Sequence, residues 1–266
     1  HLYDALEASK KAGKLPRDLR YYIGTETLQE FLSAHPDATL PNIISIKTHS
    51  QIPQQWLETG CKKSILSRSA GYDHVEHLSN IANVTSLREY CVNAVAETAV
   101  KLMFCVCGNL NQYTANTARF ERDKCISFKE LTGLKATVFG CGKIGKRVYD
   151  MVSGLGVDTY AVDIRADELK ESYGGTVRFI SPEGATDSDI VICAMNYTKD
   201  PASRLYNRGY FTEEYLSRFP DGLVFINVTR GEIAPEAALL KLYKSGKIFG
   251  IGLDAFCGEA ALAKVL

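Results

Sequence analysis

The sequence predicts an α/β fold built on a parallel sheet with helices on its faces. Short β-branched runs alternate with amphipathic stretches along most of the chain, the pattern such a sheet imposes. The second half alone carries six strand-like runs with helical stretches between them, enough for two mononucleotide-binding halves. A length of 266 residues buries a substantial core and accommodates two domains.

In chain order, the first strand candidates are Tyr21–Gly24, Ile43–Lys47, Ser64–Ser69 and Val84–Arg88. Between them "TETLQEFLSAHP", "IPQQWLETG" and "DHVEHLSNI" place apolar residues at helical spacing. From about Asn93, "NAVAETAVKLMFCVCGNL" reads as a longer helix whose apolar residues face more than one side, so it is expected to be buried against several partners. A polar, irregular stretch follows, and the domain boundary is placed near 108, giving domains 1–108 and 109–266. The second strand series runs "ATVFG", "VDTYAVD", "TVRFI", "DIVICAM", "LVFINV" and "IFGIGLDAF".

Composition narrows the function classes. Lys plus Arg and Asp plus Glu balance at 31 each, so no net charge draws the chain to nucleic acid or an anionic membrane; a small-molecule partner fits better. No apolar run reaches the roughly 18 residues of a membrane span. The eight cysteines, at 61, 91, 105, 107, 125, 141, 193 and 257, lack metal-ligand spacing and read as reduced structural thiols of a cytoplasmic protein. No metal site is expected.

"VFGCGKIG" sets Gly140, Gly142 and Gly145 at GxGxxG spacing between a strand run, Ala136–Phe139, and an amphipathic helix, Lys143–Leu155. That context is what a dinucleotide-binding turn requires. Gly140 permits the tight turn, Gly142 close approach of a pyrophosphate, and Gly145 close packing of helix on strand. The helix opens at Lys143 and Ile144, where unpaired N–H groups would face the phosphates. Asp163 closes the next strand 18 residues after Gly145 and is placed to accept hydrogen bonds from the adenosine ribose. Its charge would repel a 2'-phosphate, favouring NAD over NADP, a preference that Arg165 weakens. Further on, "INVTRGE" puts Arg230 at the carboxyl edge of the sheet, a planar cation matched to a carboxylate or 2-oxo acid. Asp254 and Glu259 fall at or beyond the same edge.

Together "TGLKATVFGCGKIGKRVYDMVSGLGVDTYAVD", "FINVTRGEI" and "SGKIFGIGLDAFCGE" resemble the D-isomer-specific 2-hydroxyacid dehydrogenases, and "SRSAGYDHV" and "VNAVAETAV" resemble that family's substrate-domain motifs. The resemblance runs over roughly 60–260. It implies a Rossmann-type doubly wound NAD-binding domain, a smaller flavodoxin-like substrate domain, and hydride transfer between NAD(H) and a 2-oxo or D-2-hydroxy acid. In the roles it implies, Arg230 binds and polarises the 2-oxo acid, Glu259 tunes an imidazole acid/base, and Asp254 contacts the nicotinamide carboxamide. Met195, Asn196, Val228 and Thr229 would line the cofactor, Ala70 and Gly71 would offer N–H groups to the substrate carboxylate, and Tyr90 would reach that carboxylate too. The long helix would supply a homodimer contact.

The sequence departs from the family in places. The family's proton-donating histidine lies well after the catalytic Glu, whereas the sequence ends seven residues past Glu259 and its five histidines, His1, His35, His49, His74 and His77, all precede residue 108. The expectation is an incomplete version of a longer enzyme, since Arg230, Asp254 and Glu259 are all present. "ICAMN" replaces a His-Val-Pro type segment, and Thr98 stands where a His often follows the Ala-Glu pair. Two other readings stand beside the dehydrogenase: an NAD(H)-sensing corepressor-like protein of the same fold, and a phosphoglycerate or formate dehydrogenase of the same family.

Overall fold

The computed structural model describes residues 2–69, 71–87, 89–121 and 127–257. The chain divides into two compact units, His1–Arg68 with His74–Thr85, and Ser69–Asp73 with Ser86–Leu266.

The first unit carries α1 (Leu2–Lys11), α2 (Leu28–Ala34), β1 (Ile43–Ile46), α3 (Gln54–Glu58) and β2 (Ser64–Ser67), with β3 (Asn83–Ser86) at its end. The strands form a sheet ordered β1-β2-β3. Thr27 and Glu30 close α2 with a reciprocal capping box. Trp56 of α3 is buried and donates its indole N–H to the Pro41 carbonyl at 3.0 Å. The expected strand at Tyr21–Gly24 does not form. Tyr22 and Ile23 are exposed there, so no face is buried against a sheet, and the Tyr21 hydroxyl donates to Glu7 instead.

The second unit carries α4 (Val92–Cys107), α5 (Leu110–Ala118), β4 (Lys135–Phe139), α6 (Lys143–Gly154), β5 (Asp158–Val162), α7 (Ala166–Ser172), β6 (Ile190–Cys193), α8 (Glu213–Ser217), β7 (Leu223–Asn227), α9 (Glu236–Lys244) and β8 (Ile248–Leu253). Its five strands are all parallel, in the order β5-β4-β6-β7-β8. β6 and β7 are buried at every position, the continuous apolar reading of strands covered on both faces. One core layer joins the sheet to α4 and α6 through Ala99, Met103, Val148 and Val152, and the other packs Phe211, Leu216, Leu239 and Leu242 on the opposite face. Helices thus cover both faces, which makes the sheet doubly wound.

Two further features, in the second unit, differ from the sequence expectation. "TVRFI" forms a single parallel bridge, Phe179 to Ala161, beside β5 and not a sixth strand. Arg178 and Ile180 exchange hydrogen bonds with Ala161, and pairing stops at Pro182, which has no N–H to donate. The compact units also separate ahead of α4, so the break placed near 108 falls inside the second unit. The reason is the packing of α4: Ala96, Ala99, Met103 and Cys107 form one buried face toward α6, β7 and β8. Gly250 and Gly252 of β8 make room for it, since a Cβ on Gly252 would lie 3.0 Å from Leu102 Cβ and 2.7 Å from Ile226 Cδ1. Met103 is fully buried in this layer, and truncation to Ala is expected to cost about 2–5 kcal/mol, read as a lower urea midpoint by far-UV circular dichroism.

Candidate active site

β4 and β6 are neighbours in the sheet, and the chain runs from β4 to β5 on one side and from β6 to β7 on the other. Ligands of open α/β sheets bind outside the strand ends at such a switch point. The glycine turn lies there. Gly140 sits at φ +84°, and a Cβ on it would come within 2.6 Å of Met195 Cα, so the turns after β4 and β6 touch backbone to backbone. A Cβ on Gly145 would collide with the Gly140 carbonyl, so this glycine lets α6 settle against the turn.

Gly142 is different, because among the described residues a Cβ there would meet no atom within 4 Å beyond its own chain neighbours and helix backbone. The protein's own packing does not require this glycine, and in dinucleotide-binding turns the middle glycine is the one that lets the backbone approach a pyrophosphate. Gly142 is also the N-cap of α6, and no side chain caps that helix end. The helix therefore presents backbone N–H groups and the positive end of its dipole on the open side. Lys143 pairs with Glu89, and Ile144 packs into the core layer beneath.

Behind the turn, Asp163 accepts the Cys141 N–H at 2.7 Å on one oxygen and the Arg165 N–H at 2.9 Å on the other. The Arg165 guanidinium also lies 3.9 Å from the same carboxylate. The Cys141 thiol is fully buried, and burial reinforced by the Asp163 charge pushes it up to about 12, so it stays protonated and inert at neutral pH.

On the far side of the crevice, the exit of β7 is organised by Asn227, which is fully buried. Its side-chain oxygen accepts the Thr229 N–H at 3.1 Å and the Thr229 hydroxyl at 2.8 Å, and its amide donates to the Arg230 carbonyl at 2.9 Å. Its own carbonyl accepts the Asp254 N–H at 2.9 Å, tying the ends of β7 and β8 together. A Cβ on Gly231 would collide with the Phe256–Cys257 backbone, and Glu236 accepts the Cys257 N–H at 2.6 Å, so the exit of β8 is held at two points. Cys193 Sγ lies 3.5 Å from the Thr229 hydroxyl, next to Val228, which is buried.

Arg230 is half-buried and donates through Nη1 to the Thr229 carbonyl at 3.0 Å and through Nη2 to Asp73 at 3.1 Å. Those bonds use two of the guanidinium's five N–H groups and fix its plane. Gly71 lies against Arg230, and a Cβ on it would overlap Nη2. The structure thus brings Gly71 and Arg230 together, as it does Gly140, Met195 and the start of α6. The Asn196 carbonyl accepts from Asn207, Asp254 is exposed at the end of β8, and Tyr90 is exposed just before α4. Ala70 and Glu259 lie outside the described residues. Asp73 and Asn227 were not singled out by the sequence; both sit in stretches that were, "SRSAGYDHV" and "FINVTRGEI". Among the described residues no cluster of three or more metal-ligating side chains occurs, and no helix is long and apolar enough to cross a membrane.

A doubly wound sheet with this glycine turn at its switch point is a dinucleotide-binding domain. The sequence model of the D-isomer specific 2-hydroxyacid dehydrogenase NAD-binding domain matches residues 100–265, and the chain belongs to that family. NAD is the cofactor of this domain, and the open face of Gly142 with the uncapped start of α6 fits it. The chain is 24% identical over 266 residues to a glycerate dehydrogenase of Methylorubrum extorquens, covering 96% of this chain and 79% of that protein. It is 26% identical to the human glyoxylate reductase/hydroxypyruvate reductase, covering 74% of this chain and 61% of that one. The fold is shared with a D-lactate dehydrogenase of Aquifex aeolicus solved with NAD and lactic acid, at a TM-score of 0.73 and 24% identity over 91% of this chain and 78% of the other.

Gly142 and Gly145 should separate by experiment. Gly142→Ala is expected to keep the wild-type melting temperature yet weaken NADH binding at least tenfold, whereas Gly145→Ala is expected to lower the melting temperature as well, by about 4 °C or more. Thermal melts and NADH fluorescence titrations measure both.

Proposed function

We propose that the protein is an oxidoreductase that moves hydride between NAD(H) and a 2-oxo acid, giving a D-2-hydroxy acid. The observation that carries this reading is Arg230 beside the glycine turn's sheet edge, its guanidinium held by Asp73 and packed against Gly71. Family membership supports the same reaction class.

NAD, when bound, supplies or accepts the hydride. Gly142 and the first residues of α6 hold its diphosphate, Asp163 its adenosine ribose, and Met195, Asn196, Val228 and Thr229 line the opposite wall, with Asp254 at the nicotinamide end. Arg230 orients the 2-oxo acid through its remaining N–H groups and draws electron density from the reacting carbonyl, a preorganised electrostatic role. Gly71, with Ala70, offers backbone N–H groups to the substrate carboxylate, and Tyr90 reaches the same group. Asp73 keeps the guanidinium plane fixed, so the substrate meets an arginine already placed. In the role the resemblance gives it, Glu259 would favour the protonated form of an imidazole acid/base through its negative charge.

We further place a homodimer contact on α4, whose side away from the core exposes Phe104. Sedimentation of Phe104→Glu against wild type tests this, with a shift to monomer expected.

The decisive experiment follows NADH absorbance with pyruvate, 2-oxoisocaproate, phenylpyruvate, hydroxypyruvate and glyoxylate, using protein expressed from its complete reading frame. Oxidation with at least one of them is expected. NADH binding without oxidation would favour the NAD(H)-sensing alternative. In the active protein, Arg230→Lys is expected to lower kcat/KM about 100-fold because the planar fork is lost. Asp73→Asn, which keeps an acceptor but not the charge, is expected to lower it about tenfold.

A further inference from the structure

Gly142 faces open space, yet what aims its backbone is on the other side of the turn. The Tyr173 hydroxyl donates to the Cys141 carbonyl at 2.9 Å, while Asp163 accepts the Cys141 N–H at 2.7 Å. Both polar groups of the residue between the first two glycines are therefore held by side chains from the segment spanning β5 and α7. A trans peptide points its C=O and N–H in opposite directions. With the Cys141 carbonyl turned toward Tyr173, the N–H of Gly142 in the same peptide is turned away from it. Without a Cβ at Gly142, and with a glycine's freedom there, that peptide would otherwise rotate readily.

We infer that Tyr173 is a positioning residue for the cofactor, aiming the Gly142 N–H at the diphosphate through its hydrogen bond to the Cys141 carbonyl. The tyrosine is itself well anchored. It is the C-cap of α7, its N–H bonds the Leu169 carbonyl at 2.9 Å, and its carbonyl accepts the Thr176 hydroxyl at 2.8 Å. Gly174 and Gly175, at φ +58° and +72°, turn the chain sharply after it and return N–H groups to Glu171 and Lys170. The ring packs against the core layer under α6, with the Lys146 ammonium 5.4 Å from its centroid. Burial raises the phenol's pKa above its usual value, so it remains a donor at neutral pH.

The inference rests on NAD binding at this turn, and the experiment separates the two. Tyr173→Phe removes one oxygen and keeps the ring. Titrating NADH, ADP-ribose and adenosine into wild type and variant is expected to show three- to tenfold weaker binding of the two diphosphates, unchanged binding of adenosine, and a melting temperature close to wild type. Tyr149→Phe is the control, since the Tyr149 hydroxyl accepts the Arg178 N–H at 3.2 Å on the same face of the unit; it is expected to leave NADH affinity unchanged. Equal weakening of adenosine, unchanged diphosphate binding, or an equal loss in Tyr149→Phe would overturn the positioning role. Wild-type protein that bound no NADH would remove the cofactor reading beneath it.

Discussion

The closeness of backbone to backbone at the switch point is the constraint on which this unit depends. The Gly140 carbonyl occupies the space a Cβ of Gly145 would need, and Gly140 in turn lies against the Met195 backbone. These two contacts bring α6 against β4 and the exit of β6 against the turn. Only residues without a side chain permit such distances, so the geometry tolerates no compromise by repacking. Everything the crevice offers a dinucleotide, from the open side of Gly142 to the start of α6, follows from that proximity.

The far wall is built differently, from polar groups buried in a network. Asn227 has no exposure and satisfies its amide through Thr229 and Arg230 while its carbonyl holds Asp254. A buried amide bonded on both its oxygen and its nitrogen favours one arrangement of the loop, because alternatives leave a desolvated group unpaired at about 1–3 kcal/mol. Gly231 and Glu236 extend the same logic to Cys257. Arg230 leaves this framework with its backbone carbonyl fixed and its guanidinium turned to Asp73. The crevice thus has one wall positioned by steric necessity and one by hydrogen-bond satisfaction.

Much of this was readable from the chain. The parallel strands stand out because burial on both faces writes them as unbroken apolar runs, and the glycine spacing is meaningful because a strand and a helix flank it. "TVRFI" misleads because its alternation suits a strand while Pro182 ends the pairing after one bridge. "YYIG" has strand composition but no surface to bury against. α4 was legible as a helix but not as part of the second unit, since its partners Gly250 and Gly252 lie far along the sequence. Asp73 and Tyr173 were silent for the same reason: each acts on a backbone or side chain that only folding brings near.

The pairing of Asp73 with Arg230 spans 157 positions of sequence, and the Ser69–Asp73 segment packs with the second unit although both its flanks pack with the first. The two units are consequently interleaved along the chain rather than strung end to end. Cutting the gene at residue 86 would yield a fragment with the whole glycine turn and sheet but without Gly71 or Asp73, so its arginine would lose the neighbours that orient it. Closing so long a loop has an entropic cost that rises only slowly with length, which the surrounding sheet packing readily offsets. Inheritance, too, is affected: recombination that exchanges the front of this chain for another carries part of the arginine's setting away with it.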